Sequence, residues 1–208
     1  VNHLVLYVDK NTEGKHDGDE FRNEANAYAA FHRERFSSTV NMLRAPCEIP
    51  ALRRTERIES MIVGAALPDN EEYDTFAYFG HGTERWIQTA HTTVKPGNLA
   101  HALVRVLSPA PMLWFAACKT AALAPNGGPG FLQDLVTRLA DERTIAHAWG
   151  HTTAGHTTRN PNLCLITPFE RECVSKVQMM TLKKRLWEPT SELRFWLPLC
   201  TSIEGLLA

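Results

Sequence analysis

Two short apolar runs constrain this chain more than any other feature. Thr75-Phe76-Ala77-Tyr78-Phe79 leads directly into Gly80-His81-Gly82, and Met112-Leu113-Trp114-Phe115-Ala116-Ala117 leads directly into Cys118. Each run is short, free of charge and rich in aromatic residues, which is the pattern of a strand buried on both faces. Between them lies a helical pattern over 99–107, introduced by Pro96-Gly97-Asn98 and stopped by Ser108-Pro109. Strand, helix and strand make a right-handed crossover with the two strands parallel. A histidine and a cysteine then arrive at one carboxyl edge of one sheet, where open α/β sheets place their sites.

The rest of the chain extends the alternation. Residues 3–8 are an apolar run ending at Asp9, a first strand, and 11–18 read as a polar loop. Asp19 can cap a helix over 20–36, with Phe21, Ala25, Tyr28 and Phe31 or His32 at helical spacing. A short strand falls within 41–50, and a helix over 51–66 puts Leu52, Ile58, Met61 and Ile62 on one face until Pro68-Asp69-Asn70. After Cys118, the loop Asn126-Gly127-Gly128-Pro129-Gly130 precedes an amphipathic helix over 131–142. Strands over 144–149 and 163–166 flank a polar stretch, and a basic helix opens the tail at 176–187. Trp187, Phe195 and Trp196 read as core. This order predicts a three-layer α/β fold built as a single domain over 1–208, a length that buries a sizeable core.

Bulk properties exclude some partners. The 22 basic residues nearly balance the 23 acidic ones, for a net charge of −1, so there is no footprint for nucleic acid or an anionic membrane surface. No apolar stretch approaches the roughly 20 residues of a membrane span. The chain starts at Val1 rather than Met, which reads as a piece excised from a larger parent, secreted or delivered, and acting in a cytoplasm. Its five cysteines (Cys47, Cys118, Cys164, Cys173, Cys200) are odd in number and lack CxxC spacing. They point to a reducing compartment without disulfides, most of them serving as buried apolar fillers.

Cys118 and His81 suit nucleophilic chemistry. A thiol attacks as thiolate, and an imidazole nearby can take its proton. Gly82 lets the backbone approach a substrate carbonyl, and its N–H with that of Cys118 can form an oxyanion hole. Composition alone favours a plainer reading, with Cys118 a buried strand residue and His81 a turn histidine. His147, His151 and His156, with Cys164 nearby, suggest a zinc-dependent hydrolase as a rival. That rival is opposed by Gly150 and the threonine-rich sequence, because histidines four apart share a metal on a helix.

The order His81-Gly82 after one strand and Ala117-Cys118 after the next, 37 positions on, resembles the caspase-like superfamily of cysteine peptidases. That group includes caspases, metacaspases, legumains, gingipains and separases. Lys119-Thr120 stands where true caspases have Arg-Gly, so the resemblance is to a bacterial relative. It implies a mostly parallel central sheet flanked by helices and a cysteine endopeptidase needing no cofactor and no metal. Cys118 would be the nucleophile and His81 the base, then the acid. It further implies that the segment with Trp149, Gly150 and His151 borders the pocket for the residue before the cut. Asp9 and Asp17 would line the same pocket and select Lys or Arg, while Arg85, Arg159 and Lys119 beside the motif segments could equally select an acidic residue. Partners would be a protein substrate and an inhibitory or immunity protein, as for a toxin, effector or defence protease. A catalytically degenerate member acting as a binding module is the other alternative.

Overall fold

In the computed structural model, which describes residues 1–9, 20–45, 54–89, 92–155, 160–186 and 192–207, the two apolar runs lie side by side and parallel at the centre of a sheet. The first half of the chain contributes β1 (Asn2–Tyr7), α1 (Glu20–Phe36), β2 (Thr39–Arg44), α2 (Arg54–Gly64), β3 (Tyr73–Phe79), β4 (Ile87–Thr89), β5 (Thr92–Val94) and α3 (Pro96–Leu103). The second half contributes β6 (Leu107–Ala116), α4 (Phe131–Asp141), β7 (His147–His151), β8 (Leu163–Ile166), β9 (Arg171–Cys173), α5 (Lys176–Leu186), α6 (Leu193–Trp196) and α7 (Ile203–Leu207). Seven strands form the main sheet in the order β2-β1-β3-β6-β7-β8-β9. The first five are mutually parallel; β8 pairs antiparallel with β7, and β9 antiparallel with β8.

Side chains alternate across the sheet with period two. Leu4, Leu6, Phe76, Tyr78, Leu113 and Phe115 face one layer, where Ile58 and Ile62 of α2, Leu99 and Leu103 of α3 and Leu132, Leu135, Val136 and Leu139 of α4 cover them. Val5, Ala77, Phe79, Trp114, Ala116 and Trp149 face the other. There α1 supplies Ala25, Tyr28 and Phe31, while α5, α6 and α7 supply Leu182, Phe195, Ile203 and Leu206. Tyr73 breaks the alternation because the register slips between it and Thr75. The result is the three-layer, mostly parallel arrangement expected.

Three expectations need correction. The helix over 99–107 instead starts at Pro96, as proline favours a first helical position, and ends at Leu103. Strand β6 already begins at Leu107, with Ser108–Pro111 bulged out opposite Asp74. Prolines are tolerated there because that stretch forgoes the ladder bond each one lacks. The β4–β5 hairpin carries no marker in the sequence and was not expected.

The third correction concerns the cysteines. Cys164 and Cys173 form a disulfide, placed opposite one another in the antiparallel β8–β9 register. Nine positions of separation say nothing of such pairing; a short antiparallel turn does. Cys118 and Cys200 take part in no disulfide among the described residues, and Cys47 lies outside them. The inference of a reducing compartment therefore loses its basis. No helix among the described residues is long and apolar enough to cross a membrane.

Candidate active site at the carboxyl edge

The last paired residues of β3 and β6 are Phe79 and Ala116. His81 and Cys118 each follow by two positions, so one offset carries both past the same sheet edge. The Gly80 N–H donates to the Ala116 carbonyl at 3.4 Å, extending the contact by one step. A β-carbon on Gly80 would lie 2.8 Å from Val8 Cγ2, and this close approach demands glycine there.

His81 is held through its backbone. Its carbonyl accepts from Gln88 N at 2.9 Å, and the buried Tyr78 hydroxyl sits between the carbonyls of His81, at 2.9 Å, and Gln88. Burial raises the Tyr78 pKa well above its usual value, so the hydroxyl stays protonated. The imidazole meets the Phe21 ring of α1 edge-on, with centroids 4.9 Å apart.

Gly82 pairs with Ile87 in an antiparallel bridge whose hydrogen bonds belong to the neighbours, Thr83 N to Trp86 O and Gln88 N to His81 O. The N–H and C=O of Gly82 therefore point away from the hairpin. A β-carbon at Gly82 would stand 2.7 Å from Thr120 Cγ2, 3.0 Å from Ala117 Cβ and 3.2 Å from the Cys118 carbonyl oxygen. The segment after β3 thus packs directly on the residues after β6. Among the described residues, neither the Gly82 N–H nor the Cys118 N–H has a hydrogen-bond partner.

Cys118 is half-buried, with Sγ 3.4 Å from the Gly155 carbonyl oxygen. The turn that follows it is tied on several sides. Lys119 has a φ of 54°, a left-handed conformation that a non-glycine residue adopts only with support. Lys119 N donates to Thr153 O at 3.3 Å, Ala121 N to His151 O at 3.0 Å, and Leu132 N to Thr120 O at 3.0 Å. Arg171 of β9 donates to the Ala121 carbonyl at 2.9 Å. A cleft of about 580 Å³ opens beside the loop after His81, with Glu84, Arg85, Lys95, Gly130, Asp134 and Arg138 among its walls.

The other residues singled out in the sequence are placed differently. Asp9 is 3% exposed and already paired, with Arg44 of β2 and, at 3.7 Å, with Arg22 of α1. Its charge is met from within the protein rather than open to a guest. Trp149, Gly150 and His151 are buried in β7, and the Trp149 indole N–H is spent on the Cys200 carbonyl at 2.8 Å. They offer no surface in this arrangement; the exposed rim next to Cys118 is Thr153 to Gly155. Asp17 and His156 lie outside the described residues. His147 and His151 sit four apart on an extended strand, about 13 Å from each other. Two histidines so placed do not share one ion, which removes the basis of the zinc reading. Burial lowers the His151 pKa to about 3 against a smaller, opposing effect of the Asn160 backbone, and its ring packs on Trp114. Phe21 of α1 and Arg171 of β9 are not marked in the sequence as site residues, since each arrives from a distant element.

No protein-family model matches this sequence, and no curated protein matches it. Among solved structures the chain is similar to a secreted C11 cysteine protease from Bacteroides thetaiotaomicron, determined with an irreversible peptide inhibitor. The TM-score is 0.49 at 12% identity, covering 91% of this chain and 55% of that one, so the chain spans about half the length of that protein.

Proposed function

We propose that this chain is a cysteine endopeptidase in which Cys118 is the nucleophile and His81 the general base and acid. The observation that carries the reading is the common two-residue offset of His81 and Cys118 beyond the Phe79–Ala116 pair, with Gly82 packed on Ala117 and Cys118. The chemistry follows from that edge. His81 takes the thiol proton, and the thiolate attacks the scissile carbonyl carbon. The oxyanion forms beside the unbonded N–H groups of Gly82 and Cys118, a stabilisation worth about 2.7–4 kcal/mol in other hydrolases. His81 then protonates the leaving amine and activates the water that releases the thioester.

A basic residue before the cut is a weaker part of the proposal, because Asp9 is internally paired. A protein substrate and an inhibitory partner remain part of it, as does a toxin, effector or defence role. The test is selective alkylation followed by mutation. Iodoacetamide near neutral pH should label Cys118 ahead of Cys200, and Cys118→Ala should abolish cleavage of a fluorogenic peptide. Equal labelling of the two thiols, or wild-type cleavage by Cys118→Ala, rejects the assignment.

A further inference from the structure

We propose that Arg171 is a positioning residue for Cys118, held in register by the Cys164–Cys173 disulfide; this rests on the nucleophile assignment above. Strand β9 is the outer edge of the sheet and pairs with β8 through only three residues, Arg171 with Ile166, Glu172 with Leu165 and Cys173 with Cys164. So short an edge strand belongs to the easily opened part of a fold. The disulfide fastens its last residue to Cys164, which is fully buried.

From the first residue of β9 the Arg171 guanidinium reaches Ala121, 50 positions earlier, and donates to its carbonyl at 2.9 Å. Ala121 lies three residues beyond Cys118, and its N–H is bound to the His151 carbonyl of β7. The β7 carbonyl and Arg171 therefore fix the two peptide groups on either side of the Ala121 Cα. The turn needs such ties, because Lys119 holds a left-handed φ that its own chain does not favour. A charged donor makes the stronger kind of hydrogen bond to a carbonyl. A second path joins the same elements. Gly150 stands opposite Cys164 in the β7–β8 register, and a β-carbon on it would lie 2.8 Å from Thr120 Oγ1. The disulfide-bearing strand and the turn after Cys118 are thus mechanically continuous.

Reduction by an external dithiol would transfer two electrons and two protons to the disulfide, leaving two cysteine thiols and an oxidised dithiol. Strand β9 would then depend on its three-residue ladder alone, and Arg171 would release Ala121 more often.

The test uses thiol-free buffer and the wild-type chain with Arg171→Met, Arg171→Lys and Cys173→Ser. Three quantities are read: amide hydrogen exchange over residues 119–122, the iodoacetamide rate at Cys118, and kcat and KM on a fluorogenic peptide. Arg171→Met should speed exchange at 119–122 and lower kcat about tenfold with KM little changed, since small misplacements of a reacting group are costly. Arg171→Lys, still able to donate one charged hydrogen bond, should recover part of the loss. Cys173→Ser should shift exchange and kcat in the same direction by a smaller step. Wild-type exchange and kcat in Arg171→Met overturn the proposal. If that variant does not fold, wild-type exchange at 119–122 in Cys173→Ser overturns it instead. A wild-type chain without peptidase activity whose variants still change exchange at 119–122 separates the two readings, leaving the contact supported and the nucleophile assignment rejected.

Discussion

Lowering the pH from 7.5 to 5 should destabilise this protein steeply, because three histidines are buried in neutral form. His3 and His32 are fully buried and His151 is 1% exposed. Burial, with smaller effects from His32 and the N-terminus, lowers His3 to about 3. Burial lowers His32 to about 4 despite its hydrogen bond with the Phe195 carbonyl, and it lowers His151 to about 3. In the unfolded chain each returns to about 6.5. The folded values lie below the unfolded ones, so the unfolded state takes up protons first as the pH falls. Stability is then complete above about pH 7 and is lost progressively from about 6.5 downward. At pH 5 each group is about 1.5 pH units below its unfolded pKa and still neutral when folded, which amounts to about 2 kcal/mol per histidine. The contact between His3 and His32, with ring centroids 4.2 Å apart, does not alter that figure, because neither carries charge in the native state there. Together they cost about 6 kcal/mol, comparable to the whole stability of many domains. Urea titrations at half-unit steps from pH 7.5 to 5 measure this directly. The free energy should fall by about 4 kcal/mol per pH unit near pH 5, and His3→Gln should reduce that slope by about a third. A flat profile over this range would refute the reasoning, as would an unchanged slope in His3→Gln.

Other outcomes follow from the same contacts. Gly82→Ala sets a β-carbon against Thr120 and Ala117, so it should cost about 1–3 kcal/mol in thermal or urea unfolding and lower peptide cleavage more than its stability loss explains. Gly130→Ala drives a β-carbon into the backbone carbonyl of Ala122; it should destabilise by more than about 3 kcal/mol, and a melting point near wild type would show that the 122–130 loop yields. His81→Ala should lower kcat by about 10²-fold or more while leaving the circular dichroism spectrum unchanged. In a panel with Arg, Lys, Asp, Asn or Leu before the cut, the Arg44 and Arg22 pairing of Asp9 removes one source of basic preference, so Arg and Lys should lead only if another carboxylate serves. Strong cleavage after Asp would instead assign the recognition to an arginine.

Much of this architecture follows from local sequence. The uninterrupted apolar runs ending at Phe79 and Ala117 are strands because only a doubly covered strand buries so much aromatic surface without polar relief. Leu132, Leu135, Val136 and Leu139 make α4 one-sided at helical spacing. The placement of His81 and Cys118 at one edge needed only two strands, one crossover and its fixed hand. These are effects of a few neighbouring residues, so they are legible before folding. The tertiary structure decided the rest. Cys164 meets Cys173 only because β8 and β9 are antiparallel in that register. Asp9 looks like a free carboxylate until α1 and β2 bring Arg22 and Arg44 to it. Trp149 to His151 look like a pocket wall until α4 on one face and the C-terminal helices on the other cover β7. Arg171 reaches Ala121 across 50 positions with no motif to announce it. Such contacts depend on which elements become neighbours, and that is settled by packing the two layers onto one sheet, not by propensity along the chain.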